Sequence, residues 1–414
     1  MTDPVREQYE ALPYPPRDPR DEAKRLIIGS PSHLAELNHF VFGGTLDLAK
    51  PFRALIAGGG TGDAAIMLAH QLAEAGAAQA ELVYLDWSKA SRAIAEARAA
   101  ARSLSNVRFV TGSLLELDAL GLGTFDYIDC CGVLHHLDDP AAGLASLKRA
   151  MAPTGGMGLM LYGALGRTGV YHVQALLAAL GAQRDHPQER LALARKLLAQ
   201  LPPTNWLKRN PFVSDHVAEG DSGLHDLLLH ARDRAYEVGE IASLIAAAGL
   251  RLVAFVPLAR YEPAAYLNDP VLLKRLAESS AIERAAFAER LTGNIKTHAF
   301  YVVDPTNAVE PPRADDPRAI PVWFDADPAS LRQALGGGSL GLSIDGLTLR
   351  FPLPPLAAAI AAQIDGRRPL REIHAAVAAK AGSLDWSAFS RQFGALYAAL
   401  HGTGKLLLRL PAKP

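Results

Sequence analysis

The sequence predicts an α/β protein built on a doubly wound, mostly parallel sheet. Three observations support this prediction. Short apolar runs alternate with helical stretches through most of the first 305 residues, and this alternation is typical of parallel sheets. A glycine-rich turn from Gly58 to Gly62 joins the first apolar run to a helix. The next run ends in an acid, Asp86, 26 residues after Gly60, where a carboxylate could bind ribose hydroxyls.

The core elements follow in a regular order, and together they predict seven strands with the last strand antiparallel. The predicted strands begin near Phe52, at Val83, at Val107, at Phe125, at Met157, at Leu252 and at His298. Predicted helices cover residues 90–102, 140–151 and 239–248. Right-handed crossovers between parallel strands place a ligand at the carboxyl ends of the strands.

Changes in composition divide the chain into four predicted parts. These are an N-terminal arm at 1–45 over the ligand site, a core at 46–162 and 232–305, an inserted helical region at 163–231, and a small α+β domain at 328–414. The prolines between Tyr9 and Pro16 predict that this stretch of the arm is extended. The insertion is expected to form a lid or an acceptor pocket, because long loops over strand ends often carry function. A linker rich in Pro and Asp is predicted at 307–327, and the last domain is similar to winged-helix modules.

Composition excludes several classes of function. The 42 basic and 43 acidic residues give a formal charge of −1, and no basic stripe predicts a nucleic-acid partner. The two cysteines are adjacent, at 130 and 131, so they predict neither a disulfide framework nor a zinc site. We expect no bound metal and a reducing, cytoplasmic location. Neither a signal peptide nor a membrane-spanning segment is predicted.

The glycine turn alone leaves two kinds of ligand open. A phosphate-binding loop would need a lysine after the glycines, and none is present. Gly60, Gly62 and Ala65 fit the dinucleotide pattern Gly-x-Gly-x-x-Gly/Ala. Gly58, Gly60 and Gly62 also fit the pattern Gly-x-Gly-x-Gly, so the choice depends on residues further along the chain.

Residues after the third predicted strand favour the second pattern. The run from Phe125 to Leu137 is a strand followed by Val-Leu-His-His, and Pro153-Thr154-Gly155-Gly156 leads into the next strand. This succession resembles the class I S-adenosylmethionine-dependent methyltransferases. The runs from Gly156 to Gly163 and from Gly166 to Tyr171 are similar to bacterial, rickettsial-type lysine methyltransferases that act on outer-membrane proteins.

The resemblance implies a Rossmann-like seven-stranded fold, S-adenosylmethionine as cofactor and S-adenosylhomocysteine as product. It also implies methyl transfer to lysine side-chain amines of a protein partner, and a homodimer. A small-molecule N- or O-methyltransferase is the alternative activity, and a non-catalytic adenosyl-binding regulator is a third hypothesis. An intact glycine loop speaks against the third.

The resemblance also implies a set of cofactor-binding residues. They are Tyr9, Gly58, Gly60, Gly62, Asp86, Trp87, Ser113, Leu114 and Gly132. Asp86 is expected to hold the ribose hydroxyls, with a helix cap as the alternative role, and Trp87 is expected to lie against adenine. Ser113 stands where an acid often binds the adenine amino group, so backbone atoms of Ser113 and Leu114 are expected to serve instead.

Catalytic and acceptor-binding roles are expected from polar side chains near the strand ends. His135, adjacent to His136, could orient the acceptor or take a proton, and Tyr162 and Tyr14 are the other catalytic candidates. His225 and Asp226 in the insertion are the candidates for binding the acceptor.

One position departs from the family pattern. Class I loops usually carry an acid two residues before the first glycine, and Ile56 occupies that position. The amino-acid end of the cofactor is therefore expected to use backbone carbonyls or a tyrosine of the arm.

Overall fold

A seven-stranded sheet forms the centre of the protein. The computed structural model describes residues 3–182, 186–324, 328–344 and 346–411. The strands are β1 (Phe52–Ala57), β2 (Ala80–Asp86), β3 (Val107–Thr111), β4 (Phe125–Cys131), β5 (Met151–Tyr162), β6 (Arg251–Val256) and β7 (Thr297–Val303). They are ordered β3-β2-β1-β4-β5-β7-β6, and β7 is antiparallel to both of its neighbours. The predicted doubly wound, mostly parallel seven-stranded sheet is confirmed.

Helices cover both faces of this sheet. Those of the arm and the first half of the core are α1 (Pro4–Ala11), α2 (Leu34–Phe40), α3 (Asp63–Glu74), α4 (Lys89–Ala101), α5 (Leu117–Leu120) and α6 (Pro140–Ala150). The inserted region contains α7 (Val170–Ala179), α8 (Pro187–Gln200), α9 (Trp206–Arg209), α10 (Asp215–Ala218) and α11 (Gly220–Leu228). The second half of the core adds α12 (Val238–Ala247), α13 (Pro270–Leu276) and α14 (Ala281–Thr292). Two large apolar clusters bury the two faces of the sheet, because its central strands are apolar on both sides.

The residues after the core form a smaller unit with its own apolar cluster. Its elements are β8 (Ile320–Trp323), α15 (Pro328–Ala334), β9 (Ser339–Ile344), β10 (Leu347–Pro352), α16 (Ala357–Ala361), α17 (Leu370–Ala381), α18 (Trp386–Gly402) and β11 (Leu406–Arg409). Strand β8 lies inside the segment predicted to be a linker and pairs antiparallel with β11. Residues 325–327 of that segment lie outside the described residues. In the described part of the chain, no helix has both the length and the apolarity to cross a membrane.

The arm begins with a helix, which the prolines did not predict. The side chain of Asp3 accepts a hydrogen bond from the Val5 N–H, and Pro4 occupies the first helical position. Both residues therefore favour the start of a helix here. The helix ends at Ala11 because Pro13 disfavours helical backbone at Leu12. Tyr9 is therefore helical, and the extended part of the arm starts only after it.

Buried ion pairs fasten the arm to the core. The Arg98 side chain, 1% exposed, donates from Nε to Glu22 of the arm (2.7 Å) and from Nη1 to Asp63 at the start of α3 (2.7 Å). Arg102 also donates to Glu22, and Arg17 of the arm pairs with Asp63 at 2.6 Å. Because each buried charge has a partner of opposite sign, the arm is held to α3 and α4 at defined points.

Replacing Arg98 by methionine should destabilise the protein by about 3 kcal/mol, since removal of one partner leaves the Glu22 carboxylate buried with reduced compensation. Urea denaturation of the two proteins would measure the difference. Arg149→Met is the matched control, because Arg149 and Asp118 form an exposed pair whose loss should cost less than about 1 kcal/mol. Equal effects of the two substitutions would contradict the prediction.

Candidate functional site

A cavity of about 430 Å³ opens at the carboxyl ends of β1, β2, β4 and β5. Strand order reverses between β1 and β4, and ligands of open α/β sheets bind at such a reversal. The glycine loop, the ends of the neighbouring strands, the arm and two residues of the insertion line the cavity. The volume is in the usual range for a site that takes a small organic ligand.

The glycine loop can approach a ligand closely because three of its residues have backbone angles that favour glycine. Gly58 has a φ of +76°, and a Cβ there would lie 2.4 Å from Val133 Cγ2. A Cβ on Gly59 would lie 2.3 Å from the ring of Tyr84, whose hydroxyl donates to the Gly60 carbonyl at 2.6 Å. Tyr84 thus orders the loop, a role that sequence reasoning missed although the tyrosine lies two residues before Asp86.

Asp86 links the glycine loop to the start of α4. Its Oδ2 accepts from the Gly60 N–H and its Oδ1 from the Ser88 N–H, both at 2.8 Å. Burial raises the pKa of Asp86, and the N–H donors of Ser88, Gly60 and Trp87 oppose that rise. Ser88 caps α4 through a bond from the Ser91 N–H, so Asp86 is not the cap and its carboxylate lines the cavity.

The arm covers the cavity and is bound to both of these segments. Glu10 accepts the Lys89 and Ala90 N–H groups at 2.8 and 3.0 Å, at the positive end of α4. Ser88 Oγ donates to the Tyr9 carbonyl at 3.1 Å, and Thr61 Oγ1 donates to the Pro15 carbonyl at 2.7 Å. The side chains of Tyr9 and Tyr14 are thereby placed in the cavity wall.

Asp226 of the insertion is held by two tyrosines. Tyr9 donates to its Oδ1 at 3.0 Å and Tyr162 donates to its Oδ2 at 3.1 Å. Burial raises the pKa of Asp226 to about 7, despite the opposing effect of the two hydroxyls. The ring of Tyr162 is itself fixed between the Arg167 guanidinium, 3.7 Å from its centroid, and His135 at 3.9 Å.

His136, rather than His135, reaches the cavity. Its Nδ1 lies 2.7 Å from the Arg232 carbonyl, which assigns the proton of the neutral ring to Nδ1 and leaves a lone pair on Nε2. Burial lowers the pKa of His136 to about 4, so the ring is neutral at physiological pH. His135 is buried behind it, and both of its ring nitrogens lack hydrogen-bond partners among the described residues.

His136, Asp226 and His230 lie close enough to one another to be considered as metal ligands within the described part of the chain. Two observations argue against that role. The rings of His136 and His230 are stacked at 3.7 Å and 18°, so their in-plane lone pairs do not converge on one ion. His230 Nδ1 accepts the Arg232 N–H at 3.0 Å, which leaves the proton on Nε2, 3.2 Å from the Tyr9 hydroxyl. These contacts describe a hydrogen-bond network.

Comparison with known proteins identifies the core. Residues 55–157, which contain the glycine loop, Asp86 and the turn after β4, match the family described as methyltransferase domain. This chain contains a class I methyltransferase domain. The resemblance to class I methyltransferases that the sequence indicates is confirmed. S-Adenosylmethionine is likewise confirmed as the cofactor of the domain.

Three matches that extend beyond the methyltransferase domain cover more of the chain, at low sequence identity. An uncharacterized protein from Synechococcus is 29% identical over 312 residues, which are 73% of this chain and 72% of that protein. The structure of PKMT2 from Rickettsia typhi covers 93% of this chain and 75% of its own, with a TM-score of 0.64 and 16% identity. The structure of PKMT2 from Rickettsia typhi in complex with AdoHcy has a TM-score of 0.66 and 15% identity, and the match covers 92% of this chain and 76% of that chain. At these identities the PKMT2 structures show a shared fold.

The structure brings most of the predicted site residues of this methyltransferase together. Those that line the cavity are Tyr9, Tyr14, Gly58, Gly60, Gly62, Asp86, Trp87, Ser113, Leu114, Gly132, Tyr162 and Asp226. His135 and His225 do not line it, because the 3-10 turn Leu134–His136 directs His136 inward and because His225 is buried elsewhere in α11. The individual functions of all these residues stay predictions.

Gly58→Ala should weaken binding of S-adenosylhomocysteine about 10- to 100-fold, since the added methyl group must displace Val133 or the loop. Quenching of tryptophan fluorescence offers a measurement, because Trp87 lines the cavity. Gly76→Ala is the matched control: Gly76 also has a positive φ, +69°, but a Cβ there would meet nothing within 4 Å. Unchanged binding by Gly58→Ala, or equal weakening by both substitutions, would contradict this account of the loop.

Proposed function

We propose that this protein transfers a methyl group from S-adenosylmethionine to a lysine side-chain amine of a protein acceptor. The observation that carries the proposal is the buried carboxylate of Asp226, which two tyrosine hydroxyls hold at the cavity wall. A carboxylate in this position favours a cationic acceptor such as an ammonium group over a neutral alcohol.

The surroundings of Asp226 support an amine acceptor. Glu219 is a second acid in the same wall, and Tyr9, Tyr14 and Trp87 add aromatic groups. Aromatic faces and carboxylates together attract ammonium ions, most strongly where water is excluded. The nearby cation Arg167 is already neutralised by Asp233, at 2.9 Å, and so offers little repulsion to an incoming ammonium.

The same geometry suggests how the acceptor could become nucleophilic. S-Adenosylmethionine supplies an electrophilic methyl group when it is bound. Burial of a lysine ammonium disfavours its charged form, and Asp226, with a pKa of about 7, can accept the released proton. His136 Nε2 is a second acceptor in the same wall. Alignment of the amine by these groups would supply most of the remaining rate.

The similarity to PKMT2 supports the fold on which the proposal depends, and one of those structures holds AdoHcy. The protein acceptor and the homodimer remain predictions from the family resemblance. Size-exclusion chromatography with light scattering would test the second of these.

Incubation of the protein with S-[methyl-³H]adenosylmethionine and cell lysate would test the proposal directly. We expect labelled protein bands that yield methylated lysine on hydrolysis. The Gly58→Ala variant should give little label, which controls for other enzymes in the lysate. Label in protein without methylated lysine would contradict the proposed acceptor.

Methylation of a small amine is the second candidate function. The observation in its favour is the cover that the arm places over the cavity, through Tyr9, Tyr14 and Pro15. In the same incubation, label that partitions into the solvent extract would support this candidate against the first.

Asp226→Asn should change the pH dependence of methyl transfer. Because its pKa is raised to about 7, Asp226 is protonated below that pH and cannot pair with an ammonium, so the rate should rise as pH increases through about 7. At saturating cofactor, the Asn variant should be slower by about 10- to 100-fold and lose this part of the profile. Initial labelling rates measured between pH 5 and 9 would show both the slower rate and the loss of the rise near pH 7.

Asp221→Asn is the matched control for that experiment. Asp221 belongs to the same helix, α11, but its side chain is half exposed and pairs with Arg195 on the surface. This variant should keep the profile of the unaltered protein. An Asp226→Asn profile with an unshifted rise near pH 7 would exclude Asp226 as the titrating group.

A further inference from the structure

The acid that is absent from β1 has a counterpart on the neighbouring strand. Ile56, two residues before Gly58, is buried and cannot bind the charged amino group of a cofactor. Asp129 of β4 is its direct partner in the parallel pairing of β1 with β4. Paired residues on adjacent strands project to the same face of a sheet, and both residues line the cavity.

The Asp129 carboxylate is held in one orientation. Ser32 Oγ donates to its Oδ2, and the Tyr127 hydroxyl lies 3.0 Å from Ser32 Oγ. The Cys131 N–H is a further donor to the carboxylate. Ser32 is completely buried and Asp129 is 2% exposed, so this arrangement is shielded from bulk water.

These donors leave part of the carboxylate unsatisfied. A carboxylate can accept about four hydrogen bonds, and the two donors found among the described residues account for half of that capacity. Within the described ranges Asp129 has no salt bridge, and the other acid of this buried region, Glu36, is bonded to Ser30 and Tyr301. A buried carboxylate without a cation is costly, and a cationic ligand group would remove that cost.

We propose that Asp129 binds the α-ammonium group of the methionine moiety of S-adenosylmethionine, in place of the acid that class I loops usually carry on β1. The inference rests on cofactor binding in the proposed function and adds the residue that recognises its amino-acid end. Ser32 positions the carboxylate, and Ile56 places an apolar side chain beside it in the cavity wall.

The test compares three ligands by isothermal titration calorimetry. S-Adenosylhomocysteine carries the ammonium group, its des-amino analogue lacks only that group, and 5′-methylthioadenosine lacks the whole amino-acid end. In the unaltered protein, removal of the amino group should weaken binding on the order of 10- to 100-fold. Equal affinity for the first two ligands would overturn the inference without any variant.

Asp129→Asn should weaken the binding of S-adenosylhomocysteine by a similar factor. The affinity for 5′-methylthioadenosine should change by no more than about twofold, because a charge-assisted hydrogen bond is lost from S-adenosylhomocysteine only. Asp126→Asn is the matched control, since Asp126 lies at the opposite end of β4, bonded to the Arg53 N–H. Equal weakening of both ligands by Asp129→Asn would assign Asp129 a purely structural role and overturn the inference.

A double variant, Ile56→Asp with Asp129→Asn, returns the acid to β1. Recovery of at least part of the preference for S-adenosylhomocysteine over its des-amino analogue is expected, because the two positions are adjacent in the sheet. Failure of the unaltered protein to bind any of the three ligands would overturn the proposed function itself. Binding of all three that is indifferent to Asp129→Asn would overturn only this inference.

Discussion

The site depends on a loop that has almost no room for side chains. Between β1 and α3, a Cβ added to Gly58, Gly59 or Gly60 would lie within 3.1 Å of Val133, of the Tyr84 ring or of the Tyr14 carbonyl, respectively. Because no Cβ separates these segments from Gly58, Gly59 and Gly60, the two strand ends and the arm converge around one space. The loop is therefore both part of the ligand site and the packing centre of the surrounding strands.

Polar groups then give that space two chemically different ends. At β2, Asp86 is held by backbone N–H donors and faces the region expected to take the nucleoside. Toward the insertion, Asp226 accepts hydrogen bonds from the hydroxyls of Tyr9 and Tyr162, and burial raises its pKa to about 7. In the proposed function, backbone donors would fix Asp86 as a binding group, whereas Asp226, whose pKa is raised by burial, could exchange a proton.

Much of the core could be predicted from the sequence because its signals are local. Apolar runs, the glycine turn and the acid that ends β2 each depend on neighbouring residues, so their order gave the sheet and one wall of the cavity. The choice between His135 and His136 depends on a single 3-10 turn, and adjacent residues on such a turn face different directions. The prolines after Ala11 predict an extended arm, but the Asp-Pro start before them places Tyr9 in a helix.

Long-range contacts were beyond sequence reasoning for a different reason. The pairing of Ile56 with Asp129 joins positions 73 residues apart, and their proximity follows from strand register, which no local pattern encodes. Likewise, Asp226 meets Tyr9 across 217 residues. The departure at Ile56 was visible in the sequence, whereas the residue adjacent to it in space was not.

The attachment of Glu10 to the first turn of α4 makes the N-terminal arm part of the cap of that helix. Ser88 and the two amides that Glu10 satisfies directly follow Asp86 and Trp87 in the chain, so displacement of the arm would leave those amides without their acceptor beside the cavity. Loss of a capping interaction of this kind costs about 1 kcal/mol. Part of the stability of α4 thus depends on a residue that lies 79 positions earlier in the chain.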